Sequence, residues 1–87
     1  MRRRLATTNF IRMYGAFLRK HPELEEKIEE VMERVAAGTR AVARAHALHG
    51  KRAGFYAVRV SQSYRLVFAL EPDAVVFIDI GSHDDVY

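Results

Sequence analysis

Between Leu48 and Arg65 the chain carries Lys51, Arg52, Arg59 and Arg65 without a single carboxylate, and His46 and His49 flank its near end. Gly50 and Gly54 punctuate a loop; a strand, a tight turn and the start of a second strand follow. A guanidinium presents a planar fork of donors that matches the oxygens of a phosphate. An imidazole, with an ordinary pKa near ~6.5, can take up and release protons at neutral pH. The surface suits an anion.

Register sharpens this. From Phe55 the apolar period is two: Tyr56, Val58 and Val60 alternate with Phe55, Ala57 and Arg59, and Tyr64, Leu66, Phe68 and Leu70 alternate with Arg65, Val67 and Ala69. With Ser61-Gln62-Ser63 as a three-residue loop, Val60 faces Tyr64, Val58 faces Leu66 and Tyr56 faces Phe68. Arg59 then sits directly across from Arg65, an arrangement that is destabilising unless something anionic lies between the two. Taking Glu71-Pro72-Asp73 as the next loop sets Leu66 by Ile78 and Arg65 by Asp79, so that Asp79 holds Arg65. A third strand over about Ala74 to Ile80 leaves at Gly81-Ser82-His83 and brings His83 to the sheet end that carries Arg59, Arg65 and Tyr64.

Each of these residues has a plainer reading. The arginines are a phosphate clamp or a solvated pair with Arg65 satisfied by Asp79; surface ion pairs are common and contribute little. His83 is a proton carrier or an exposed loop histidine. Tyr64 packs in the core or meets a ligand, and Tyr87 stacks on a base or plugs the sheet end. His46, His49, His83 and Asp84 invite a zinc reading, which Lys51 and Arg52 disfavour because they would repel a dication. No metal or cofactor is expected.

The elements that must position these groups fit one small domain over residues 1–87, near the lower size at which a core sustains itself. An edge strand over Arg2 to Thr7 precedes a helix capped at Thr8 or Asn9. Phe10, Ile11, Tyr14, Phe17 and Leu18 recur at helical steps, and His21-Pro22 ends the helix because the residue before a proline avoids helical angles. Pro22 opens a second helix with Leu24, Ile28, Val31, Met32 and Val35 buried and Gly38 as its stop. Residues 39 to 47 read as loop, ahead of a meander of three antiparallel strands.

Charge is segregated in blocks although the formal net charge is only +3. Residues 1 to 20 hold six bases and no acid, 21 to 37 are dominated by glutamates, 38 to 66 hold only bases and 67 to 87 only acids among the charged residues. One surface is therefore far more basic than the total implies, and the triple arginine at positions 2 to 4 is a solvated tail or an added attraction for RNA. The absence of cysteine excludes disulfides and thiolate metal sites and fits a reducing cytoplasm. Apolar runs far shorter than the ~20 residues of a membrane span, and a basic start without a signal-like apolar core, point to a soluble, unexported chain.

The order helical hairpin, Leu48-x-Gly50, Gly54-x-Tyr56-x-x-Arg59, Tyr64-Arg65-Leu66-Val67-Phe68 and Ile80-Gly81-Ser82-His83-Asp84-Asp85-Val86-Tyr87 resembles the RelE/ParE toxin superfamily of toxin–antitoxin pairs, over essentially the whole chain. The resemblance implies an α+β fold, RelE-like microbial ribonuclease in type: a short N-terminal strand, a helical hairpin and an antiparallel meander. It implies a metal-independent endonuclease acting on mRNA in the ribosomal A site, with Arg59, Arg65, His83 and Tyr87 at matching site positions. His46-Ala47-Leu48-His49-Gly50 and Gly81-Ser82-His83 through Tyr87 look most like the YafQ branch. Ala57 stands where RelE has a lysine, and Ala57 and Ser63 stand where YafQ has aspartates.

On that resemblance His83 is the general acid or base, Arg65 and Arg59 stabilise the phosphorane, His46 is the second proton carrier and Tyr87 positions the base. Lys51, Arg52, His49 and Tyr64 are the remaining RNA-binding candidates. The partners implied are mRNA and an antitoxin, in a hetero-oligomer. The alternatives are a ParE-like toxin that inhibits gyrase by binding, and an inactive paralogue that keeps only the antitoxin surface.

Overall fold

The computed structural model describes residues 1–38 and 44–82. It has two helices against one face of a five-stranded sheet, an α+β arrangement. The strands are β1 (Arg3–Ala6), β2 (His46–Ala47), β3 (Tyr56–Arg59), β4 (Tyr64–Leu70) and β5 (Ala74–Ser82), in the spatial order β1-β5-β4-β3-β2. β1 runs parallel to β5 and the other neighbours are antiparallel.

Helix α1 (Thr8–Lys20) is capped one residue earlier than expected: the Thr7 hydroxyl accepts the Phe10 N–H at 3.0 Å. Thr7 can do this because it is still extended and donates its own N–H to the Phe77 carbonyl, so one residue ends the strand and opens the helix. Phe10, Tyr14, Phe17 and Leu18 pack on the core, whereas Ile11, at the rim of that stripe, is 63% exposed. Pro22 opens a 3₁₀ turn (Pro22–Leu24) rather than the second α-helix itself, and α2 (Glu25–Ala37) follows. It stops where Gly38 turns to a φ of 114°, which side-chain-bearing residues rarely adopt.

The core lies between the helices and one sheet face, with Ile28, Val35, Leu66, Phe68 and Val75 at full burial. β1 is tied to the helices through charge. Arg4 pairs with Glu29 at 3.0 Å and with Glu33 at 3.5 Å, and the Tyr14 hydroxyl donates to the other Glu29 oxygen at 2.7 Å. Burial pushes the Glu29 carboxyl up, but hydrogen bonds from Tyr14 and Arg4 outweigh it, and the net shift is downward. Burial, then Glu29 itself, pushes the Tyr14 phenol well above its ordinary value. Because the folded Glu29 value is depressed, its contribution to stability is present above the ordinary value of 4.5 and lost as pH falls through the folded one. Glu29→Gln is expected to cost about 1 kcal/mol at pH 7, reduced from the usual charged hydrogen-bond value by solvent exposure. The difference should shrink towards zero in urea titrations run below pH 4.5; an undiminished difference at low pH would contradict the ionic account.

The β3–β4 register is the expected one: Tyr56↔Phe68, Val58↔Leu66 and Arg59↔Arg65. The β4–β5 register differs from expectation. Glu71 and Ala74 exchange backbone hydrogen bonds around a two-residue turn, Pro72-Asp73, which moves the pairing by one residue and gives Leu70↔Val75. A bulge at Ile78 then moves it by one more, so Leu66 faces Ile80, Arg65 faces Gly81 and Val67 faces Asp79. Phe77 and Ile80, of opposite parity, consequently both face the helices, at 2% and 6% exposure. Ile78 packs on the other face instead, with Leu48, Ala57, Val67 and Phe55. That second cluster lies under the segment 48–55, and β2, expected to be loop, pairs with β3 as His46↔Ala57 and Ala47↔Tyr56.

Candidate nucleic-acid interface

Paired residues of adjacent strands point to the same side, so the register arranges the face opposite the helices in rows. His46, Ala57, Val67 and Asp79 form one row across β2, β3, β4 and β5, and Arg59, Arg65 and Gly81 form the next. Arg59 is exposed and Arg65 half-buried. Among the described residues neither makes an ion pair. The Arg65 Nη1 instead donates to the carbonyls of Ser61 and Tyr64, at 3.3 Å each. Two guanidinium groups thus share one sheet end, one tethered to backbone and the other free to meet solvent.

Asp79 does not hold Arg65. Its Oδ2 accepts from the Arg52 Nη2 at 2.7 Å and its Oδ1 accepts from the Ile80 N–H at 2.8 Å. The two-step register change moves Asp79 one row away from Arg65 and under the 3₁₀ turn Gly50–Arg52. Arg52 is therefore spent on fastening this loop to the sheet. Gly50 and Gly54, at φ of 67° and 96°, set the bends on either side of it, and the Leu48 N–H to Phe55 carbonyl bond closes its base. Lys51 and His49 are left exposed on the fastened loop, and His46 is exposed on the sheet edge. Asp79→Ala is expected to cost about 2 kcal/mol, because it strands a half-buried guanidinium that had a charged hydrogen bond; a urea-denaturation loss under ~0.5 kcal/mol would show the pair to be incidental.

Tyr64 turns to the helix side. Its ring meets Phe17 edge-on at 5.0 Å and His21 at 4.9 Å, and its hydroxyl lies 3.1 Å from the His21 Nε2. Sequence reasoning took His21 only as the residue that ends α1. The signal was available in its spacing, since Phe10, Tyr14, Phe17 and His21 follow helical steps along one face. His83 and Tyr87, the expected proton carrier and base-positioning group, lie outside the described residues. Among the described residues no three potential metal ligands gather, and no helix is long and apolar enough to cross a membrane.

No protein-family model matches the chain, and no curated protein sequence does. Solved structures do. YafQ from Escherichia coli strain BL21(DE3) superposes with a TM-score of 0.82 at 18% identity, over all of this chain and 99% of that one. The chain has the RelE/YafQ-like toxin fold. A copper-bound mutant toxin from Helicobacter pylori matches it at a TM-score of 0.85 and 19% identity, over the full length of both chains. A chain of a YoeB–YefM complex from Staphylococcus aureus matches at a TM-score of 0.74 and 16% identity, over 95% of this chain and 98% of that one. In this YafQ-like chain the two arginines occupy the end of the meander, with His46 on the adjoining edge strand.

Proposed function

We propose that the protein is the toxin of a toxin–antitoxin pair and that it cleaves mRNA on the ribosome. The observation that carries this reading is Arg59 opposite Arg65 on adjacent strands, without a carboxylate partner among the described residues. Such a pair gains from an anion that sits between its members, and a phosphodiester is an anion of suitable shape. RNA brings its own nucleophile. A base removes the 2′-hydroxyl proton, the 2′-oxygen bonds to phosphorus, the bond from phosphorus to the 5′-oxygen breaks, and an acid protonates the departing oxygen. The products are a 2′,3′-cyclic phosphate and a 5′-hydroxyl.

Arg65 and Arg59 stabilise the charge that accumulates on the phosphorane. His83 is the general acid or base and His46 the second proton carrier; His46 is in the row next to Arg59, a diagonal position of roughly 7–8 Å between backbones. Lys51 and His49 draw the flanking backbone of the RNA towards the loop, Arg52 keeps that loop in place, and Tyr87 positions a base. Tyr64, packed on Phe17 and His21 on the helix side, faces away from the two arginines and is not assigned a contact with RNA. The S. aureus relative was solved as a YoeB–YefM complex, which supports a cognate antitoxin as the protein partner here.

Primer extension on mRNA held in programmed ribosomes, with EDTA present, tests the proposal. Discrete cuts at the A-site codon are expected from the wild-type protein and none from His83→Ala. Folded protein that leaves the mRNA intact overturns the nuclease reading, and inhibition of gyrase supercoiling by the same sample would replace it with the binding-type toxin.

A further inference from the structure

We infer that His21, at the junction of the two helices, is a positioning residue for Arg65 and acts through Tyr64; its importance for cleavage rests on the phosphate role proposed for Arg65. The chain of contacts begins with Pro22, which forces His21 out of helical angles to φ −134° and ψ 60° while its N–H still closes on the Phe17 carbonyl at 2.9 Å. The imidazole is thereby set against Phe17, with ring centroids 4.8 Å apart, and against Tyr64. A phenol O–H donating to Nε2 leaves the proton on Nδ1, which lies 3.6 Å from a Glu23 oxygen. That tautomer is assigned from the hydrogen-bond partners. Glu23 is 67% exposed and adds little, so the bond that matters is the one to Tyr64.

Tyr64 is the hub of the β3–β4 hairpin. Its carbonyl oxygen accepts the N–H groups of Val60 at 3.1 Å and Ser61 at 3.4 Å, and it also accepts the Arg65 Nη1 at 3.3 Å. The second carbonyl on that nitrogen belongs to Ser61, whose position depends on the same turn. The direction of the Tyr64 carbonyl follows from how its peptide unit is held, and its side chain is held on the helix face by Phe17 and His21. Phe17 offers only ring contact, which leaves the phenol free to slide; His21 adds a directional bond that fixes one placement. Arg65 projects from the opposite face with its guanidinium tethered to the carbonyl so oriented. His21 thus acts across the sheet on a group it does not touch, and pre-orders the cation for its anion. Among the described residues Arg59 has no such tether, and its order is expected to be unaffected.

The experiment compares Tyr64→Phe, His21→Ala and His21→Gln with the wild type, each first shown to be folded by urea titration. Its primary readout is the {¹H}–¹⁵N NOE of the Arg65 Nε–H, which reports guanidinium order whether or not the protein cuts RNA. The NOE is expected to fall in Tyr64→Phe and His21→Ala and to recover in His21→Gln, whose amide can accept the phenol proton. In ribosomal cleavage the first two variants should lose about tenfold in kcat with KM changed less, since a small misplacement of a charge-stabilising group acts on the transition state. An unchanged Arg65 NOE in folded Tyr64→Phe and His21→Ala overturns the inference. Absence of cleavage by the wild type strikes the nuclease reading alone, and the NOE still decides the role of His21.

Discussion

Arg65→Ala is expected to lower the single-turnover rate of RNA cleavage by about 10²–10³-fold, the usual effect of deleting one preorganised group that meets developing negative charge. The same change should leave the fold intact or stabilise it slightly, because it removes a like-charge contact worth roughly 0.2–1 kcal/mol across the strand pair. Activity and stability are thus predicted to move in opposite directions, which separates a site arginine from one that merely supports the sheet. Arg65→Lys should recover only part of the loss. A lysine cannot present the fork that reaches a phosphate while holding the Ser61 and Tyr64 carbonyls. A rate within threefold of wild type for the folded alanine variant would remove Arg65 from the mechanism.

The second large effect is on stability. Phe68 is wholly buried on the central strand, stacked on Tyr56 at 5.8 Å and edge-on to Phe77 at 6.4 Å. Phe68→Ala should therefore cost about 3–5 kcal/mol, the sum of lost transfer energy and an unfilled cavity. Small domains have only about 5–15 kcal/mol in all, so the variant should be partly unfolded at 37 °C and show a sharply lowered urea midpoint. A loss under ~1 kcal/mol would mean that the bulge beside Phe68 lets the sheet collapse around the gap.

Both predictions depend on which residues face which way, and the legibility of that in the sequence was uneven. The β3–β4 hairpin was readable because both strands alternate strictly and the loop between them is short, so only one register keeps Val58, Val60, Leu66 and Phe68 together. The helices were readable from their apolar steps and from Gly38, apart from the rim position of Ile11, the cap at Thr7 and the 3₁₀ turn that Pro22 opens ahead of α2. β5 was readable as a strand but not in its register. Its run Ala74-Val75-Val76-Phe77-Ile78 is apolar at every position, so alternation could not reveal that Ile78 is an extra residue. With that bulge and the two-residue turn Pro72-Asp73 both unseen, Asp79 was assigned to Arg65 rather than to Arg52.

The amino-acid sequence by itself determined the helical hairpin, the three strands of the meander, and the facing of Arg59 and Arg65, because these follow from local periodicity and a short loop. Only the tertiary structure decided that Arg52 fastens its own loop, that Arg65 is left without a carboxylate among the described residues, and that His21 reaches Tyr64. Those pairings join residues 27 and 43 positions apart, and each depends on how far β4 and β5 slide past one another or how α1 lies on the sheet. No local pattern encodes such a displacement, since it is settled by packing of the whole core.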